Sequence, residues 1–432
     1  MTVFKGWEAK FILAVFYSRI PCRGEAEVNY ICMTTTPKEK LMPDRPAETC
    51  PYCNGSNFVK RGVRKNKYQD VQLYLCQECE KTFTSRTIKG KQFPWPVVLD
   101  AMSYHNLGYS FESIPKILKA KRGVAPTPET IAKWYEEYKP LCRFERLRPY
   151  AMNILRVWKE HAAKFGNKVD MVETVTLAHK QLYRFRYHRP KLALALEEYK
   201  NRNFTNLMEY LDTVSTEVPH RDFPNGERMS EVRSKFDTSN MIVKGKENFA
   251  TKLTKFVIQG VTENKQRHEE VQRFFIANDS VTVATEVPVS IRKEDVEHLE
   301  ATLKFKVLEE EGLIHLKNRK KKVPFPDVLT GHIDIVQVRN GIVHILDYKP
   351  NAAKEKPIEQ LTWYALSLSR LTGLRLFEFK CAWFDEKDYF EFYPLHVVKK
   401  LDRKRRKRVR YKDGSDVFVP NDNELKIVKK HG

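Results

Sequence analysis

Two aspartates and a lysine within one short stretch carry the strongest chemical signal in this chain. The stretch reads Gly331-His-Ile-Asp334-Ile-Val-Gln-Val-Arg-Asn-Gly-Ile-Val-His-Ile-Leu-Asp347-Tyr-Lys349. Asn340-Gly341, set between β-rich runs, predicts a two-residue hairpin turn. With Arg339 paired to Ile342, Val338 faces Val343, Val336 faces Ile345 and Asp334 faces Asp347, with Cβ atoms about 4.5–5.5 Å apart. Lys349, two residues on, projects from the same face as Asp347. Two ionised carboxylates opposed beside an apolar face repel each other unless a proton or a cation lies between them. Mg²⁺ or Mn²⁺ suits such oxygen donors and keeps several waters. A cation there can activate a water and stabilise a phosphate undergoing displacement. Lys349 can polarise the nucleophile or stabilise charge on the phosphate. The plainer alternative is a structural Asp334–Lys349–Asp347 ion cluster, although buried groups of that kind rarely add stability.

The surrounding elements must position these groups. From 245 to 398 helical and strand patterns alternate, which predicts an α/β domain. His268 lies in a helical pattern from Asn264 to Phe275, just before a predicted strand from Val281 to Val289. Glu286, within that strand, is either a further acid of the site or a strand-edge surface residue. Pro357 opens another helical pattern, in which Gln360 and Tyr364 are four apart and share a face.

Taken together, these residues resemble the PD-(D/E)XK nuclease superfamily, in its RecB-like branch. The family's motif series stands here as His268, Gly331 to Asp334, Asp347-Tyr348-Lys349 and Gln360 to Tyr364. The resemblance implies a restriction-endonuclease-like α/β fold with a mixed sheet and divalent-metal-dependent hydrolysis of DNA phosphodiesters. It implies that His268, Asp334 and Asp347 hold Mg²⁺ or Mn²⁺, with the backbone carbonyl of Tyr348. Lys349 is then catalytic with the two aspartates, and Gln360 and Tyr364 position DNA. Several members of the branch hold an iron–sulfur cluster with three cysteines after the motifs. Here Cys381 alone follows them, so no cluster is expected.

A second metal signal lies near the start. Cys50-Pro-Tyr-Cys53 and Cys76-Gln-Glu-Cys79 are separated by 22 residues. Each pair predicts a knuckle that points two thiolates at one ion, and two knuckles close a tetrahedral structural Zn²⁺ site. Phe58 to Lys60 and Val71 to Leu75 can pair as a small antiparallel sheet between them. Such a segment is too short to bury a core unaided, so metal binding would supply its folding energy.

Three helical pieces follow. Pro94 to His105 is the first. Ser110 can cap a second, Phe111 to Ala120, unless Pro115 moves the cap to Ser113. Gly123 breaks the chain, and Thr127 caps a third helix with Pro128 at its first position. This layout predicts a helix-turn-helix, with Thr127, Thr130, Lys133 and Trp134 near DNA. A plain three-helix packing unit is the alternative, and Glu129, Glu136 and Glu137 require that the acids face away from phosphate. Residues 48–140 resemble the N-terminal DNA-binding module of insertion-sequence transposases, whose ribbon ends in an element like Cys79-Glu-Lys-Thr-Phe83. Those transposases continue into a ribonuclease-H-like domain. Here Asp170 and Glu173 are followed by a helical, basic and aromatic stretch instead.

Composition sets the frame. Lys plus Arg total 77 against 55 Asp plus Glu, giving a formal net charge of +22 over 432 residues. A polyanionic partner is the ordinary consequence, here duplex DNA and also single strands. The 41% hydrophobic content fits a folded chain, and no apolar run reaches the roughly 18–20 residues that span a membrane. With eight cysteines, two close pairs and no secretory signal pattern, a reducing cytoplasm is expected, and the resemblance to transposases implies a prokaryote and a place near the nucleoid.

The expected fold class is therefore multidomain α+β. An N-terminal segment (1–45, with Met33 a candidate start) precedes the ribbon (46–90), the helix-turn-helix (91–141) and a helical basic–aromatic region (142–244). The nuclease-like domain (245–398) and a basic tail (399–432) complete it. The expected activity is a metal-dependent deoxyribonuclease of a mobile element or of genome defence, which can form a homo-oligomer. A non-catalytic DNA-binding regulator on a nuclease scaffold and a transposase-type recombinase are the rival readings.

Overall fold

Val, Ile and Leu fill consecutive positions on both arms of the Asn340-Gly341 hairpin. Every residue after Ile342 is buried in the strand Ile342–Tyr348. Neighbouring strand residues point to opposite faces, so unbroken burial means that both faces of the sheet are covered. The computed structural model describes residues 47–398, apart from 48, 66–69, 85–92, 201, 235, 237–242, 262–263, 309–311, 318 and 320, together with Lys407–Arg410 and Asp416–Val419.

The chain begins with a three-stranded antiparallel sheet of β1 (Phe58–Arg64), β2 (Val71–Cys76) and β3 (Thr82–Thr84). Phe58, Tyr74 and Phe83 pack ring to ring as its small core, with centroids 5.3–5.5 Å apart. The expected pairing of Phe58–Lys60 with the strand before Cys76 holds, and β3 extends it.

Three helices follow: α1 (Trp95–Asn106), α2 (Ile114–Arg122) and α3 (Pro128–Tyr138). The expected start of α2 at Phe111 is corrected to Ile114, with Ser113 before it and Pro115 in the first turn, where a proline ring is tolerated. Gly123 ends α2 in the left-handed region, with φ +73°. Thr127 caps α3, its hydroxyl accepting the Thr130 N–H at 3.3 Å.

Helix α4 (Arg148–Ala163) leads into β4 (Glu173–His179) and β5 (Gln181–Tyr187). These strands correct the expectation that 142–244 is helical. Their β-branched and aromatic residues pair as a hairpin that joins the main sheet through Arg186–Thr285 and Tyr187–Ala284. Pairing with a sheet that lies a hundred residues later outweighs local propensity. Then come α5 (Arg189–Glu198), α6 (Thr205–Glu217) and the short strands β6 (Glu227–Arg228), β7 (Val232–Arg233) and β8 (Lys244–Gly245).

The remaining elements are α7 (Phe249–Ile258), α8 (Asn264–Asn278), β9 (Thr282–Ile291), α9 (Lys293–Leu303), β10 (Leu313–Leu316), β11 (Val323–Pro324), β12 (Leu329–Arg339) and β13 (Ile342–Tyr348). After them stand α10 (Ile358–Thr372), β14 (Phe379–Phe384), β15 (Tyr389–Phe392) and α11 (Pro394–Val398). The main sheet is mixed, in the order β4-β5-β9-β12-β13-β14-β15-β8, with β6 beside β12. β13 runs parallel to β14, and β12 antiparallel to both β9 and β13. Mixed α+β architecture is thus observed. The four segments 1–45, 85–92, 399–406 and 420–432 lie outside the described residues, as do Met33, Cys22 and Cys32. Part of the basic tail forms a hairpin, Lys407–Arg410 with Asp416–Val419.

The three helices do not form a core of their own. Trp95, Val98, Ile131 and Trp134 share one hydrophobic cluster with Phe256, Phe274, Ile335 and Phe384. The Trp95 indole donates to the Phe256 carbonyl at 2.9 Å. Asn106 donates to Asn278 at 2.7 Å and accepts from the Tyr135 hydroxyl at 2.9 Å. Asp100, 2% exposed, pairs with Arg122, with Lys121 at 3.5 Å and with Arg273 of α8. The trihelical unit and the sheet are built around the same interior.

Candidate active site and metal centre

The hairpin register is the expected one. Arg339 pairs with Ile342 and the ladder runs to Ile335 with Leu346. Asn340 and Gly341 take φ of 54° and 67°, the left-handed pair that a type I′ turn needs. The next positions in register are Asp334 and Asp347, where the ladder stops. There Asp334 Oδ2 accepts the Tyr348 N–H at 3.0 Å, so a side chain takes over a backbone donor at the strand end. On the other side of β12, Ile333 and Ile335 pair with Val287 and Thr285, which puts Glu286 opposite Asp334. Three carboxylates therefore stand in a row across β9, β12 and β13.

Glu286 takes a φ of 52°, a left-handed conformation rare for a non-glycine residue and rarer inside a strand. Such a backbone costs on the order of 1–3 kcal/mol, and it persists where the surroundings over-determine it, commonly at functional sites. The Gln272 amide of α8 donates to Glu286 at 2.7 Å. Burial, then the charge of Asp334, pushes the Glu286 carboxyl up to about 8. Burial and Asp334 likewise hold Asp347 well above the carboxylate range. Asp334 is lowered: burial opposes its charge, but the hydrogen bond and charge of His268 outweigh it. Without a cation, the row keeps its charge down by retaining protons.

His268, from α8, brings Nδ1 to 3.5 Å from Asp334 Oδ2 and stands edge-on to the Tyr348 ring at 4.9 Å. Burial works against its imidazolium, but Asp334 and then Asp347 raise it above the ordinary histidine value. Lys349 Nζ lies 3.0 Å from Asp347 Oδ2. Burial disfavours its ammonium, and the two aspartates more than offset that, so Lys349 stays protonated. It is an electrostatic group here, not a base.

Gln360 and Tyr364 do share a face of α10: the Gln360 amide donates to the Tyr364 hydroxyl at 2.9 Å. Tyr364 is only 5% exposed. Its ring lies against Gly331, where an added Cβ would come within 2.4 Å of the ring. That contact is the physical reason for glycine at 331. Gln360 lines a cleft of about 260 Å³ with Lys317, Lys349 and Lys356 and with the acids Glu355 and Glu359.

Sequence reasoning missed a histidine chain beside the acids. His332 Nε2 lies 2.8 Å from His179 Nδ1, and His179 Nε2 lies 2.9 Å from His220 Nδ1. His220 Nε2 is 2.8 Å from the Val214 carbonyl, which can only accept. The protons are thereby assigned: His220 donates to Val214, His179 to His220 and His332 to His179. Burial, then His220, depresses His179 to about 4, and burial with His179 and Arg228 depresses His332 to about 3. Tyr183 stacks on His332 at 3.6 Å. The three histidines come from β4, the loop after α6 and β12, and no local pattern connects them.

The four cysteines converge as expected. Their sulfurs all lie within 4.8 Å of one another, a set able to hold a metal ion. Cys50 to Cys79 measures 3.6 Å and Cys53 to Cys76 3.5 Å. A tetrahedron with metal–sulfur bonds near 2.3 Å has sulfur–sulfur edges of about 3.8 Å. After each pair the backbone turns left-handed, at Asn54 and at Glu80. Among the described residues this is the one group of three or more such side chains whose ligand atoms approach that closely.

The helix-turn-helix residues fare differently. Trp134 is corrected: it is 4% exposed and stands edge-on to Phe93 at 5.2 Å, inside the core. Thr127 and Lys133 are exposed and Thr130 is half-buried, its N–H taken by Thr127. Glu129, Glu136 and Glu137 are exposed as well, at spacings that place them on the Lys133 face. That face of α3 is net acidic. Among the described residues no helix is long and apolar enough to cross a membrane. No protein-family model, curated protein or solved structure matches the chain.

Proposed function

We propose that the chain is a DNA-binding nuclease that hydrolyses phosphodiester bonds with Mg²⁺ or Mn²⁺ at the β12–β13 strand ends. The observation that carries this reading is the row Glu286–Asp334–Asp347 with protonated Lys349 at 3.0 Å from Asp347. Hard oxygen donors crowded enough to retain protons fit a small divalent cation, which would replace those protons. Bound there, the cation supplies a nucleophilic water at neutral pH and charge stabilisation for the phosphate. Asp334 and Asp347 are its ligands in this reading, with Glu286, His268 and the Tyr348 carbonyl completing the set.

The chain's own groups have separate tasks. His268 orients Asp334 through its Nδ1 hydrogen bond. Lys349 places a positive charge where negative charge builds on the phosphate. Gln360, held by Tyr364, contacts the DNA strand that enters the cleft. The four cysteines hold Zn²⁺, the ion that a closed thiolate tetrahedron favours.

The test is cleavage of labelled single- and double-stranded DNA by purified protein with Mg²⁺, with Mn²⁺ or with neither, beside Lys349→Ala. Cleavage that requires the ion and falls at least about 100-fold in the variant is expected. Binding without cutting under either ion would replace the nuclease by a regulator on the same scaffold. Joined strands among the products would make it a recombinase.

A further inference from the structure

If α3 presents an acidic face, the duplex must be held elsewhere, and the zinc ribbon offers the surface. We infer that β1, not the third helix, is the element that docks on the phosphate backbone of duplex DNA. This inference rests on the DNA-binding reading above and adds where that contact is made. Every residue of β1 after Phe58 is exposed. Lys60, Arg61, Arg64 and the following Lys65 crowd four cations into six positions, with no ion pair among the described residues. The residues opposite them are neutral: Lys60 pairs with Tyr74, Val63 with Gln72 and Arg64 with Val71.

Of the ribbon's described acids, Glu78 turns toward Cys53 and the Asn57 N–H and Glu80 lies in the second knuckle. Asp70, just before Val71 and so next in register to Lys65, is the one acid beside the patch, against four cations. Lys81 lies over the Tyr52 ring at 5.2 Å and adds one more cation to the module.

Two further features identify the partner. Val59 and Val63 are 43% and 57% exposed between the cations. Small apolar side chains flanked by lysine and arginine fit deoxyribose and thymine methyl groups, whereas RNA presents 2′-hydroxyls. The strand also carries a register shift between Lys60 and Val63, at Gly62 with φ +99°. The shift turns Arg61 out of the ladder and bends the strand, as bulges do. A bent, basic edge strand of a small three-stranded sheet matches a groove edge. The helix face Glu129–Lys133–Glu136–Glu137 repels one.

The experiment measures duplex binding by the full chain carrying Asp347→Asn, without added Mg²⁺ or chelator, so that neither cleavage nor zinc loss intervenes. Lys60→Gln/Arg61→Gln/Arg64→Gln is compared with Lys133→Gln. The triple variant is expected to weaken binding at least about tenfold near 150 mM salt. It should also lower the slope of log K against log salt by about 3, roughly one per phosphate contact. Lys133→Gln is expected to stay within about twofold of its parent. One zinc per chain in each protein shows that the ribbon is intact. Equal binding by the triple variant and its parent would overturn the inference, as would a loss with Lys133→Gln as large as that of the triple. Tighter binding of an RNA duplex than of DNA would also overturn it. Because cleavage is read separately in the Asp347 protein, failure of the nuclease reading leaves this result interpretable.

Discussion

Glu286 shows how one residue is decided by its neighbours. Its carboxyl is buried opposite Asp334, and its proton is retained up to about pH 8, against an ordinary value of 4.5. Folding without a cation therefore takes up a proton that the unfolded chain has released between those two values. Stability of the metal-free protein is lost as pH rises through that window and levels off above it. Glu286→Gln is expected to flatten this part of the profile, so its melting temperature at pH 8 exceeds that of the parent in the absence of Mg²⁺. Adding Mg²⁺ should reverse the order, because the parent alone gains the full ligand set. Thermal melts at pH 6 and pH 8 with and without Mg²⁺ check both signs. The same position explains why the sequence left Glu286 open: an acid in a strand is ordinary until the register sets it against Asp334.

At the scale of elements, two contacts join pieces that look independent in the sequence. Asp100 on α1 ties down Arg122 of α2 and Arg273 of α8. Burial opposes its charge, but Arg273, Lys121 and Arg122 hold its carboxyl at about 2. Removing one member of such a buried cluster strands the others, at a cost of about 3–5 kcal/mol. Asp100→Asn is expected to lose that much in urea unfolding, and Asp100→Asn with Arg122→Leu to lose less than the single variant. The zinc ribbon is the opposite case. Its core of Cys50, Tyr74, Cys76 and Phe83 shares no residue with the large cluster. Cys50→Ser/Cys76→Ser is therefore expected to abolish zinc content while moving the main melting transition by no more than about 2 °C. Atomic absorption and calorimetry on one preparation decide it. A large fall in the main transition would show that the ribbon supports the sheet.

Across the whole molecule, burial of neutral histidines sets the acid limit. His105 and His179 are each held down to about 4, chiefly by burial, and His188 and His344 are depressed further by the same cause. The unfolded chain protonates these rings near pH 6.5, and the folded chain resists until about pH 4. Their contribution is complete above 6.5 and is lost as pH falls through that window. Urea midpoints at steps from pH 7.5 to pH 4.5 should decline. The decline should be shallower in His179→Gln, which removes one titrating ring together with one of the groups that depress His332. His332 is lowered likewise, so His268, raised rather than lowered, works in the opposite sense as one ring against five.

What the residues determined by themselves was local. Asn340-Gly341 permits left-handed φ at two successive positions, so the turn, and with it the opposition of Asp334 and Asp347, follows from short-range sterics. The Cys-x-x-Cys knuckles, the Thr127 cap and the Gly123 stop are local for the same reason. Tertiary structure decided whatever depended on distant partners. Glu173–Tyr187 became a hairpin because β9 offered it an edge. Trp134 went inward because α7 and α8 supplied apolar surface, and its burial left the acids of α3 on the outer face. The chain His332–His179–His220 exists because three separate elements meet there. Side-chain direction on a strand repeats every two residues and can be read from spacing. Which surfaces cover each face is a matter of packing between segments far apart, and spacing carries no record of it.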